Sequence, residues 1–101
     1  MEQQRWQQLL KLIQHQQSLS ELDGVLHLLL SHDERQAISG RLAIIRALLE
    51  GKQSQRQIAV DLAVSIATIT RASNSLKLLT AAERAQLLAS LNVHSSPDNR
   101  N

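Results

Sequence analysis

Residues 54–77, SQRQIAVDLAVSIATITRASNSLK, hold two short helical patterns that meet at Ala63-Val64-Ser65, and no other stretch limits the fold so tightly. With so short a junction, neither pattern can lie as an independent helix flat on a core. The two must cross. In the first, Ile58, Ala59 and Leu62 recur at i, i+1 and i+4, while Gln55, Arg56 and Asp61 stay polar. In the second, Ile66, Ile69, Ala72 or Ser73, and Leu76 form a helical stripe. Its other faces carry Thr68, Thr70, Arg71, Asn74, Ser75 and Lys77. A solvated helix face more often carries Glu and Lys. Short donors and acceptors near a helix N-terminus suit entry into the major groove, where bulky side chains would hold the backbone away from base edges. The pattern predicts a helix-turn-helix over 54–77 with the second helix as reader. A plain helical hairpin in a small bundle fits the same apolar spacing.

The 101-residue chain has no Phe or Tyr and one Trp, so its core must come from Leu, Ile, Val and Ala. Three Gly, one Pro and no alternating apolar pattern argue against a sheet-rich fold. Residues 1–93 are expected to form one helical DNA-binding domain, with the polar stretch 94–101 as a flexible tail. A chain this short leaves apolar surface over, which favours an obligate oligomer. The absence of Cys fits a cytoplasmic protein. No signal peptide and no apolar run near the ~20 residues of a bilayer span are expected.

Charge is unevenly placed. Residues 1–51 hold five Lys/Arg against six Asp/Glu, whereas residues 52–77 hold Lys52, Arg56, Arg71 and Lys77 against Asp61 alone. A local cationic excess of this kind is what phosphate contacts require.

Along the chain, Glu2 to Gln17 is a Gln-rich helical pattern with a stripe of Trp6, Leu9, Leu10 and Ile13, suited to core packing or to a second chain. Ser18-Leu19-Ser20 breaks it, and Ser20 with Asp23 is expected to cap a short helix over Glu21 to Leu29. That helix is apolar nearly all round and must be buried on more than one side. Ser31-His32-Asp33-Glu34 is a capping box opening a helix to Glu50, with Ile38, Leu42, Ile45, Leu48 and Leu49 inward and Gly51 as its stop. Ser54 with Gln57, and Thr80 with Glu83, repeat the capping spacing. The last helix runs from Ala81 to about Asn92.

Catalytic patterns are absent. His15, His27, His32 and His94 lack metal-ligand spacing and no Cys completes a site. Asp33 and Glu34 suit the positive end of a helix dipole better than acid/base work. Neither a nucleophile elbow nor a phosphate-cradling glycine loop occurs, so no enzyme is expected.

Three segments, LLLSHDERQAISGRLAIIRALLEG (28–51), SQRQIAVDL and IATITRASNSLK (66–77), together resemble the tryptophan operon repressor family. That family is itself a standard example of helix-turn-helix docking and of water-mediated operator contacts, so both points come with the resemblance. The resemblance implies an all-α, six-helix fold in an intertwined homodimer that binds L-tryptophan as corepressor. It implies a repressor of tryptophan biosynthesis or transport genes acting on palindromic operator DNA, with no other cofactor, no metal and no membrane.

By the same resemblance, Arg41 and Arg71 flank the indole ring, and Arg71 with Ser31 holds the carboxylate. The Ser75 hydroxyl and the partner's Leu28 and Leu30 carbonyls meet the ammonium. Guanidinium planes stack on aromatic faces and pair with carboxylates, which suits these roles. The expected DNA-facing set is Gln55, Arg56, Ala59, Ser65, Ile66, Ala67, Thr68, Thr70 and Lys77. Thr68 is assigned to DNA and not to the ligand.

The chain departs from the family pattern in places. Ala72 stands where Gly is common beside the ligand arginine, and is expected to bear on corepressor affinity or identity. Ala63 and Ser65 replace common turn glycines, and His32 a common Pro. Other readings of the same helices are a helix-turn-helix regulator indifferent to tryptophan and a helical protein-interaction module.

Overall fold

A computed structural model of the chain describes residues 1–93. Six helices follow one another: α1 Glu2–His15, α2 Leu19–Leu29, α3 His32–Glu50, α4 Gln55–Leu62, α5 Ile66–Lys77 and α6 Ala81–Leu91. There is no strand among the described residues, and the expected tail, 94–101, lies outside them. The chain divides within α3 into two compact units, Met1–Ala37 and the residues from Ile38 onward.

The helix starts follow local chemistry. Ser31 Oγ accepts from the Glu34 amide at 3.1 Å while the Ser31 amide donates to Glu34 Oε1 at 2.8 Å. Thr80 and Glu83 repeat that reciprocal pair at α6. At α4 only half of the box forms. Ser54 Oγ accepts from the Gln57 amide, but the Gln57 side chain turns one helical turn onward and donates to Asp61 at 2.8 Å. There the side chain donates to a carboxylate, a charge-assisted bond, instead of accepting from the Ser54 amide, and Gln53 also donates to Asp61.

The expected cap of α2 is corrected. Ser18, not Ser20, accepts from the Glu21 amide at 3.0 Å, and the Glu21 carboxylate accepts from the Gln17 amide at 2.8 Å. This cap starts the helix at Leu19, and α1 ends sooner than Gln17, with Gln16 already extended.

Two helices stop in the same way. After α4, the Val64 amide donates to the Ala59 carbonyl at 3.0 Å and the Ala63 amide to the Val60 carbonyl at 3.2 Å. After α6, Val93 and Asn92 make the matching bonds to Leu88 and Ala89. Each is a Schellman stop whose following residue is a valine packed inward, with Ala63 (φ 56) and Asn92 (φ 54) left-handed. Asn adopts that conformation readily; Ala pays for its Cβ. Gly51 (φ 67) ends α3 as expected.

The second unit has two buried clusters. Ile44, Ile58, Ala59 and Ile69 join α3, α4 and α5, with Val64 and Ala72 packed against them. Leu49, Leu76 and Val93 form the other, closed by Leu87, Leu88 and Leu91 of α6. The expected α3 stripe needs revision. Ile44 and Leu49 are its buried residues, Ile45 and Leu48 are half-buried, and Ile38 and Leu42 are 49% and 48% exposed. In the first unit neither α1 nor α2 buries a residue. Trp6 is 57% exposed and Leu28 83%. No described helix is long and apolar enough to cross a membrane.

Candidate functional site

Helices α4 and α5 pack against each other across the turn 63–65, the helix-turn-helix read from the sequence. Ser65 caps α5, its Oγ accepting from the Thr68 amide at 3.1 Å. With Ile69 and Leu76 buried, and Ala72 and Ser73 half-buried, the face bearing Ile66, Ala67, Thr70, Asn74 and Lys77 is left exposed. Gln55 and Arg56 at the start of α4 are exposed too, and Gln55 Nε2 lies 3.4 Å from Ser73 Oγ, tying the two helices. Ala59 differs from expectation. It is 6% exposed and sits in the first core cluster, so its methyl fixes the crossing of α4 and α5 and has no outward face for DNA.

The inner side of α5 opens on a cleft of about 540 Å³, lined by Arg41, Ile44 and Ile45 of α3 and by Thr68, Arg71, Ala72 and Ser75 of α5. Four of the expected ligand residues, Arg41, Arg71, Ala72 and Ser75, are thus brought together. Ile44, Ile45 and Thr68 are additions. The volume lies within the roughly 300–1,000 Å³ of small-molecule sites. Chemically the cleft offers an apolar floor, two guanidinium groups and two hydroxyls. The Ser75 hydroxyl donates back to the Arg71 carbonyl at 3.1 Å. With its proton so used, its lone pairs remain as acceptors for a cationic group.

Thr68, expected to face DNA and not the ligand, also belongs to the cleft. It lines the cleft, and its Oγ1 accepts from Arg71 Nη2 at 3.3 Å while lying 2.9 Å from Ser65 Oγ. A chain of hydrogen bonds therefore runs along the first two turns of α5, from its cap to the cleft arginine. The position that a repeated apolar pattern would not reveal is set here by the i, i+3 spacing of 65, 68 and 71.

The other expected ligand residues belong to the first unit, where α2 meets α3. The Leu30 carbonyl accepts from Arg35 Nη1 at 2.8 Å. Ser31 is engaged at both its amide and its hydroxyl with Glu34. The Ser31 amide, and after it the Ser31 hydroxyl, hold the Glu34 carboxyl below the usual glutamate range. Among the described residues no group of three or more His, Asp or Glu is placed to hold a metal ion.

Comparison with known proteins places this architecture. Residues 4–93 match the family model described as Trp repressor protein. The chain is 46% identical over 82 residues to the Trp operon repressor homolog of Vibrio vulnificus (strain YJ016), covering 81% of this chain and 80% of that one. Against the Trp operon repressor homolog of Aliivibrio salmonicida the identity is 41% over 93 residues, covering 92% and 86%. Against that of Chlamydia trachomatis serovar D it is 49% over 72 residues, covering 71% and 77%. With six helices, a helix-turn-helix and a match over nearly all the described residues, the chain belongs to the Trp repressor protein family.

Proposed function

We propose that the chain is a DNA-binding transcriptional repressor that works as an intertwined homodimer, takes L-tryptophan as corepressor and acts on palindromic operators of tryptophan biosynthesis or transport genes. The cleft carries this reading, because Arg41 and Arg71 converge over Ile44, Ile45 and Ala72 directly behind the reader helix. An indole ring suits the apolar floor and the guanidinium planes, and a carboxylate suits Arg71. The acceptor left on Ser75 suits the ammonium. A zwitterion held there bears on α5 from the inside, so ligand and operator favour the same helix position.

The dimer is supported by the first unit, which buries none of its side chains although Trp6, Leu19, Leu28 and Leu29 are large and apolar. Those surfaces call for a partner of the same kind as a core. Leu28, Leu30 and Ser31 then supply the partner's share of the ligand contacts. On the outer side, Gln55, Ser65, Ile66, Ala67 and Thr70 meet DNA, Arg56 and Lys77 meet its phosphates, and Thr68, at the start of the reader helix, serves both DNA and the cleft.

Calorimetric titration of the purified protein tests the ligand half. Wild type is expected to bind one tryptophan per chain in a particle of twice the chain mass, and Arg71→Ala to lose about 1.5–3 kcal/mol, the scale of a hydrogen bond to a charged group. Tryptophan binding that Arg41→Ala and Arg71→Ala both leave intact would overturn the assignment.

A further inference from the structure

We propose that Arg84 of α6, with Lys77 of α5, forms a phosphate-binding cleft at the C-terminal end of the reader helix, and that its occupant is a phosphate of the DNA backbone; this rests on the DNA reading above. The cleft, about 330 Å³, lies among α4, α5 and α6, and its polar lining consists of Gln53, Ser54, Gln55, Ser73, Lys77 and Arg84. None of these side chains carries a negative charge; Gln53 donates to Asp61 and Gln55 to Ser73, which leaves Lys77, Arg84 and the Ser54 and Ser73 hydroxyls as donors. Two cations with hydroxyl donors suit an oxyanion.

Arg84 is not an ordinary solvated cation. It falls on the same stripe of α6 as Leu87, Leu88 and Leu91, at i, i+3, i+4 and i+7, and like them it is half-buried. An arginine on the packed side of a helix normally has a carboxylate to meet. Among the described residues the one ion pair joins His27 to Asp23, and no carboxylate pairs with Arg84 or Lys77. Among the described residues, these two cations thus line one cleft with no carboxylate paired to either. Leu87, Leu88 and Leu91 pack α6 on the cluster that holds Leu76, and Arg84 lines the same cleft as Lys77, the next residue along α5. Gln55, also in the cleft and linked to Ser73, begins the helix that carries Arg56. The cleft is therefore continuous with the proposed DNA face and extends it onto a third helix.

The test is the salt dependence of DNA binding by the full-length protein, with specific and non-specific duplexes. Arg84→Gln is expected to flatten the slope of log affinity against log salt by about one and to weaken both duplexes by the same factor, with tryptophan affinity unchanged. Arg84→Lys, which keeps the charge, is expected to restore most of the slope. An unchanged slope in Arg84→Gln, or equal damage by Arg84→Lys, would overturn the assignment. So would a phosphate-induced spectral shift in wild type that Arg84→Gln abolishes while its DNA slope stays wild-type, since the cleft would then hold free anion instead of backbone. Wild-type protein with no salt-dependent DNA binding would overturn the DNA reading and this assignment together, whereas a slope altered by Arg56→Gln but not by Arg84→Gln would overturn this assignment alone.

Discussion

Arg71 Nη2 donates to Thr68 Oγ1 at 3.3 Å, so the arginine that lines the cleft is tied to the first turn of the reader helix. A guanidinium has five donors, and spending one on Thr68 leaves the rest oriented for a ligand carboxylate. Thr68→Val keeps the side-chain shape and removes the hydroxyl. Tryptophan affinity is expected to fall by about 1 kcal/mol, the usual net worth of such a bond, or roughly fivefold. Tryptamine, which lacks the carboxylate, is expected to bind both proteins equally in the same calorimeter. An equal loss for both ligands would place the role of Thr68 in packing and not in orienting Arg71.

Ala63 is left-handed at φ 56 in the turn between α4 and α5. Its Cβ costs about 1 kcal/mol there. Ala63→Gly is expected to stabilise the fold by up to that amount in urea denaturation, against the usual cost of glycine to the unfolded chain. A loss of stability would mean that the Cβ makes a contact worth more than the strain.

Glu34 gives the α3 cap a pH dependence. A carboxyl held below its unfolded value stabilises the fold above the unfolded pKa, and that contribution is lost as pH falls through the folded value. Glu34→Gln is therefore expected to have a lower denaturation midpoint than wild type at neutral pH, and the difference to close on acidification below the glutamate range. A gap that persists unchanged at pH 3 would contradict the capping role.

Much of the fold could be read from the sequence because it is written locally. Ser31 with Glu34, Thr80 with Glu83 and Gly51 each name a helix end through bonds spanning a few residues. The α2 start is ambiguous in the sequence because two serines, Ser18 and Ser20, both stand three residues before an acid, and only Glu21 reaches back, to the Gln17 amide. Ile44 was missed since α3 carries apolar residues on more than one face, and periodicity alone does not say which face meets α4 and α5. Arg41, Arg71, Ala72 and Ser75 were identified through family resemblance, and the cleft brings them together. The second role of Thr68 depends on which way a long arginine turns. Arg84 sits in a pattern that reads as α6 core, so only the packing of three helices reveals its neighbours.

Operator affinity with and without tryptophan shows whether the Arg41–Arg71 cleft controls DNA binding. Titrating a palindromic operator with the purified protein at fixed salt, saturating tryptophan is expected to strengthen binding several-fold or more, and Arg71→Ala to abolish that gain. Operator affinity that is the same at zero and saturating tryptophan would contradict the corepressor role of the Arg41–Arg71 cleft and leave a helix-turn-helix regulator indifferent to the amino acid.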